Sequence, residues 1–89
     1  MVTYDEAKRR ENLQKHGIDL AETGAVFDFP METWEDGRQA YGEARHVSLG
    51  WLSGKVVYLV WTHRAGETRV ISCRKGTKHE TERYFKAFF

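Results

Sequence analysis

Within Arg69-Val-Ile-Ser-Cys-Arg-Lys-Gly-Thr-Lys-His-Glu-Thr-Glu-Arg-Tyr84, the side chains of Arg74, Lys75, Lys78, Glu80 and Tyr84 gather where a strand pattern meets a helix start. Cations beside a helix N-terminus can hold a phosphate, and a carboxyl or phenol next to them can move a proton. The spacing therefore suits chemistry on a polyanion. Arg64 stands one hairpin earlier and is the other obvious anion ligand. With a turn at Ala65-Gly66, Arg64 falls near the turn and Arg74 at the far end of the partner strand. At about 3.3 Å per residue the two lie roughly 20 Å apart, so they bind successive phosphates of a long ligand or one of them is structural.

The elements that must position these groups follow from pattern. Asp5 to His16 has strong helix formers, an acidic start and a basic end, and Gly17 stops it. Lys8, Asn12 and His16 share one face, which reads as a solvated helix surface. Asp19 with Glu22 starts a second, short helix through about Phe27, with Leu20, Ala21 and Phe27 as its apolar side. Pro30 ends it. Met31 to Gly37 reads as a short strand closing at an Asp36-Gly37 turn. Glu43 to Leu52 is a strand with Arg45, Val47, Leu49 and Trp51 on one face, and Ser53-Gly54 is a turn. Lys55 to Arg64 is nearly continuously apolar, the mark of a central strand covered on both faces. Thr68 to Arg74 is its antiparallel partner. A three-residue turn would put Tyr58, Val60, Thr62 and Arg64 on the face of Val70, Ser72 and Arg74, and a two-residue turn would swap the partners. Thr77 and Glu80 form a capping box for a final helix whose stripe is Tyr84, Phe85 and Phe88. The expected fold class is α+β: two N-terminal helices, an antiparallel sheet of three to four strands and a C-terminal helix, with the helices on one side.

Eighty-nine residues provide one modest core, so residues 1–89 are expected to form a single domain. No apolar run is long enough to span a bilayer, and Met1 to Glu6 lacks the basic start and apolar stretch of a secretory signal. Cys73 is the only cysteine, which excludes an internal disulfide and suggests a cytoplasmic setting. The net charge of +1 conceals segregation: +1 over residues 1–16, −4 over 17–68 and +4 over 69–89. A basic terminal segment is the footprint of a polyanion partner, although an exposed helix rich in Lys and Arg looks similar. The acidic middle, with Asp28, Glu32, Glu35 and Asp36, is a solvated face or a dock for a basic partner.

Other constellations are weaker. His16, His46, His63 and His79 show no ligand spacing, and Arg83 stands where a zinc-binding helix motif begun at His79-Glu80 would need histidine, so no metal site is expected. Cys73 is foremost a small core residue, and Ser72 lacks an activating context. Of Trp34, Trp51 and Trp61, at least two are expected mainly in the core. The helix cap by itself explains Glu80, and Tyr84 reads first as a packing residue.

A resemblance shifts these odds. Tyr4-Asp5, Lys8, Asn12, Lys15-His16-Gly17-Ile18, Val26-Phe27, Gly42-Glu43 with Arg45, Gly50, Thr62 with Arg64, Arg69 to Arg74, Glu80 and Tyr84 stand in the order and spacing of the BrnT toxins. The chain resembles that family over essentially its whole length. Tyr4 stands where the family usually has tryptophan, and Cys73 and Gly76 where alanine is usual. The resemblance implies a RelE-like fold, ribonuclease activity that halts translation, and neutralisation by a BrnA-type antitoxin. It also implies that operator DNA is reached only through that antitoxin. No cofactor and no membrane are implied.

RNA cleavage through the 2′-hydroxyl needs a base, an acid for the leaving oxygen, and cations for the phosphorane. Arg64 and Arg74 are assigned to phosphate and transition-state charge, because guanidinium is always charged and binds phosphate at two points. Glu80, Tyr84 and His16 are candidates for proton transfer. Lys15 and Lys75 are auxiliary cations, and Lys78 and Arg69 extend the RNA contact. Two rival readings are a non-enzymatic module binding RNA or an acidic partner, and a degenerate toxin acting only as corepressor.

Overall fold

The computed structural model describes residues 1–37 and 42–89. In chain order it runs β1 (Val2–Thr3), α1 (Glu6–His16), a 3₁₀ segment (Leu20–Asp28), β2 (Glu32–Glu35), β3 (Arg45–Leu52), β4 (Lys55–Arg64), β5 (Glu67–Lys75) and α2 (Lys78–Phe88). The strands form one sheet in the order β1-β5-β4-β3-β2, antiparallel except for the parallel β1–β5 edge. The expected three to four strands thus become five. Two residues of β1 are too few to show a period in the sequence, and they are held by pairing Val2 with Thr68 and Thr3 with Arg69. The turn expected at Asp36-Gly37 adjoins residues 38–41, which lie outside the described residues.

Only one of the two expected N-terminal helices is α-helical. Asp5 caps α1 by accepting from the Lys8 amide, and Gly17 closes it in the left-handed conformation at φ 71°. The second segment is 3₁₀, and its period explains which side chains face inward. Leu20, Thr23 and Val26 recur every three residues and are all fully buried, as three residues per turn requires. Ala21 points outward and Phe27 is half-buried, against the α-helical expectation. The Thr23 hydroxyl donates to the Leu20 carbonyl at 2.7 Å, so a buried polar side chain is satisfied within the segment.

Helices cover both faces of the sheet, rather than the expected single side. Successive residues of β4 belong to different apolar clusters: Val57 and Leu59 join Ile18, Leu20, Val26, Leu52, Val70 and Cys73, while Val56 joins Leu49 and Tyr84. Alternation along a strand sends those sets to opposite faces, so the 3₁₀ segment lies on one face and α2 on the other. A Cβ on Gly50 would run into Val26 Cγ1, so the absent side chain lets the 3₁₀ segment seat closely on β3. All three tryptophans are half-buried and packed against these clusters. The acidic middle is partly absorbed as well: Glu32 pairs with Arg83 of α2, whose guanidinium stacks on Trp34 at 4.7 Å, and Asp36 is buried.

Asn12 is not on a solvated surface. It is 5% exposed, its amide nitrogen donates to the carbonyls of Ile18 (2.8 Å) and Cys73 (2.9 Å), and its oxygen accepts from the Cys73 amide (3.1 Å). One side chain thereby serves as a strand partner for β5 where β1 has ended. In the Asn12→Ala protein these buried backbone groups lose their partner, at about 1–3 kcal/mol per group. Thermal unfolding should report a midpoint lower by about 10 °C or more, at roughly 4–8 °C per kcal/mol for a chain of this size. An unchanged midpoint would remove Asn12 from this role.

Candidate functional site: a basic groove along β5

The β4–β5 hairpin turns at Ala65-Gly66, both with positive φ (53° and 77°), so it is a two-residue turn pairing Arg64 with Glu67. The register then changes. Trp61 pairs with Val70 but Val60 pairs with Ser72, leaving Ile71 as the extra residue of a β-bulge. Near the turn, Thr62 and Arg64 share a face with Arg69 and Glu67; beyond the bulge, Tyr58 and Val60 share that face with Arg74 and Ser72. Neither simple register holds along the whole hairpin.

This arrangement gathers arginines. Thr62 pairs with Arg45 on one side and Arg69 on the other, so Arg45, Thr62 and Arg69 form a row across three strands, and Arg64 follows two residues along β4. Thr62 is buried between them. Arg45, Arg64 and Arg69 line a cleft of about 170 Å³ with Asp5, Lys8, Val70 and Ile71. A neighbouring cleft of about 210 Å³ is walled by α1 residues Lys8, Glu11, Asn12, Lys15 and His16 against Ile71 and Ser72 of β5. The two clefts share Lys8 and Ile71. Together they make one groove between α1 and β5, cationic at the hairpin end and carrying an imidazole near the helix C-terminus.

The expected site residues separate into two groups. Arg64, Arg69, Lys15 and His16 line the groove. Arg74, Lys75, Lys78, Glu80 and Tyr84 line neither cleft. Arg74 follows Ser72 on the same face, but its guanidinium is engaged: Nη1 and Nη2 donate to the two Glu80 carboxylate oxygens at 2.8 and 3.0 Å, and the group lies 4.0 Å from the Tyr58 ring centroid. Glu80 in turn accepts from the Thr77 amide at 2.8 Å while Thr77 Oγ1 accepts from the Glu80 amide, completing the capping box. The α2 N-terminus is thus occupied by its own carboxylate, and the strand–helix junction does not offer an open phosphate site. Hydrogen bonding to Arg74 holds the Glu80 carboxyl below its usual range, and the same contact raises Arg74. An ionised carboxylate committed to a guanidinium is a poor proton carrier.

Tyr84 is likewise corrected to a packing residue. It is 2% exposed, its hydroxyl donates to the Pro30 carbonyl at 2.9 Å, and burial raises its pKa. Lys75 and Lys78 are exposed at the end of β5 and the start of α2. Burial pushes the Cys73 thiol up to about 12, which leaves it inert beside the groove. Arg45 and Lys8 are the groove cations that the sequence reading did not assign. Strand parity already set Arg45 on one face of β3, but only the register with Thr62 brings it beside Arg69.

Residues 4–80 match the family model described as the ribonuclease toxin, BrnT, of a type II toxin–antitoxin system. The crystal structure of the Brucella abortus ribonuclease toxin BrnT is similar at 25% identity and a TM-score of 0.66, covering 86% of this chain and 96% of that one. No curated protein sequence matches. Fold and family model define a ribonuclease toxin of a type II toxin–antitoxin system. The chain belongs to the BrnT family. Such a system supplies an antitoxin partner and an RNA substrate. No helix among the described residues is long and apolar enough to cross a membrane.

The Arg74–Glu80 contact has a pH signature. A carboxylate whose pKa is lowered on folding contributes stability above its unfolded pKa, about 4.3, and loses it as pH falls through the lower folded value. Thermal midpoints measured from pH 6 to pH 2 should therefore drop more steeply below about pH 4.3 in the parent than in Glu80→Gln. Parallel curves would refute the coupling.

Proposed function

We propose that the chain, working as one domain, is a metal-independent endoribonuclease that inhibits translation in the cytoplasm. On this reading it is neutralised by a BrnA-type antitoxin and, through that protein, represses the operon encoding both. The observation that carries the proposal is the joining of the three-arginine cleft to the His16 cleft across Lys8 and Ile71. The antiparallel sheet with its flanking helices supports the RelE-like kinship within the same proposal.

An RNA strand lies along the groove. Arg64, Arg45 and Arg69 hold the scissile phosphate and offset the charge that grows on its oxygens. The 2′-oxygen attacks phosphorus as its proton departs, the bond to the 5′-oxygen breaks, and that oxygen takes a proton. The products are a 2′,3′-cyclic phosphate and a 5′-hydroxyl. His16 serves as a proton-transfer group, since imidazole both accepts and gives protons near neutral pH, and Lys15 adds a cation beside it. Arg74 and Glu80 fix the strand–helix junction past the end of the groove, and Lys75 and Lys78 add positive potential for the strand beyond it. Tyr84 takes no part, because its hydroxyl is committed to Pro30.

Purified protein incubated with RNA in EDTA should yield fragments ending in cyclic phosphate, with cleavage weakening as salt rises. Arg64→Ala and His16→Ala proteins that remain folded should each cleave on the order of 100-fold more slowly. RNA retained without products would favour the binding-only reading. Cleavage that stops in EDTA and returns with a divalent cation would overturn metal independence.

A further inference from the structure

Arg64 and Arg74 are both gripped by carboxylates, yet by different edges of the guanidinium. Glu80 takes the Nη1/Nη2 end of Arg74. Glu43 takes the other side of Arg64: Nε donates to Oε2 at 3.3 Å, and Nη2 to Oε1 at 2.8 Å and to Oε2 at 3.1 Å. A guanidinium has five N–H groups in a fixed planar fork, so occupation of the Nε/Nη2 edge leaves both Nη1 hydrogens and the outer Nη2 hydrogen for a second two-point contact. The Arg64 side chain is 53% exposed, whereas that of Glu43 is 20% exposed. The buried-side partner is the carboxylate, and the open side belongs to the arginine that lines the groove.

Resting on the ribonuclease reading above, we infer that Glu43 is a positioning residue that fixes the plane of Arg64, so that the Nη1/Nη2 edge meets the scissile phosphate. A long arginine side chain on an exposed strand end otherwise samples many rotamers, and ordering it only when substrate arrives would cost binding energy. Glu43 sets the orientation in advance. It reaches β4 from the residues just before β3, and Arg45, two residues further on, lines the same cleft. One short segment therefore supplies both a groove cation and the orienting carboxylate for its neighbour. The alternative chemistry for the same contact is occlusion, in which Glu43 occupies the anion site until phosphate displaces it. The edge geometry favours positioning, because the end edge stays available while Glu43 is bound.

Steady-state RNA cleavage by the parent, Glu43→Gln, Glu43→Asp, Arg64→Ala and the Glu43→Gln/Arg64→Ala protein distinguishes these. Positioning predicts that Glu43→Gln lowers kcat about tenfold or more with KM changed by less than about threefold, and that the double variant is no slower than Arg64→Ala, since groups acting as a unit are non-additive. Glu43→Asp, which keeps the two-point carboxylate, should recover part of the loss, and it serves as the test variant if Glu43→Gln fails to fold. A rise in kcat/KM in Glu43→Gln would mean occlusion and overturn the inference. Losses that multiply in the double variant would reduce Glu43 to a general structural role and also overturn it. If Arg64→Ala is slow but Glu43→Gln matches the parent, only this inference fails. If Arg64→Ala itself matches the parent, the placement of the site fails with it.

Discussion

The side-chain amide of Asn12, paired with both backbone groups of Cys73, is the contact on which the groove depends. An amide carries a donor and an acceptor on one rigid plane, so it can substitute for a strand where the real neighbour, β1, has run out. Aspartate lacks the donor and leucine lacks both. The second amide hydrogen reaches Ile18, which anchors the chain just after Gly17 and sets where α1 ends. Because Asn12 faces the strand, Lys8 one turn before it and His16 one turn after lie beside β5 as well. The wall of the groove is thus fixed by a buried polar residue, and the charged groups around it are carried at helical spacing.

The same economy runs through the arginines. Arg64 and Arg74 lie on one face of the hairpin, separated by six residues of β4, roughly 20 Å. Arg74, pinned to Glu80 and stacked on Tyr58, ties β5 to α2. Arg64 keeps an open edge and company from Arg45 and Arg69. Identical side chains thus take different tasks according to which guanidinium edge a carboxylate already holds. Helix α2 gains from the first arrangement, since the carboxylate that caps it also binds the strand it follows.

Much of this was legible in the sequence where a local rule sufficed. The strands β3, β4 and β5, the Asp5 start and Gly17 stop of α1, and the Thr77/Glu80 capping box are signals within a few residues. The distance between Arg64 and Arg74 was also readable, because it follows from strand rise and one turn. What escaped required contacts between distant segments. β1 exists only through β5, and the two-sided cover of the sheet only through the separate clusters around Val56 and Val57. Asn12 looked solvated because its partners are 6 and 61 residues away. Leu20 to Asp28 misled because a nine-residue run fits periods of 3.0 and 3.6 almost equally, and the choice fell to packing against Gly50. Of the groove lining, Arg64, Arg69, Lys15 and His16 were anticipated, while Arg45 waited on the strand register and Lys8 on the docking of α1 against β5.

The extra residue at Ile71 acts as a phase shifter within β5. Arg69 and Arg74 are five positions apart, and in an unbroken strand an odd separation sends side chains to opposite faces. The bulge adds half a period, so both arginines face the α2 side while Val70 and Cys73 both enter the cluster beneath the 3₁₀ segment. Flattening the bulge while keeping Ile71, so that Val60 paired with it, would leave the turn-proximal half of the strand as it is and turn the far half inside out. Arg74 would be directed into the apolar layer, and Cys73 would take its place beside Tyr58. The spacing of this motif is therefore tied to the bulge as much as to its chemistry: the same residues at the same spacing in an unbroken strand would present a different surface.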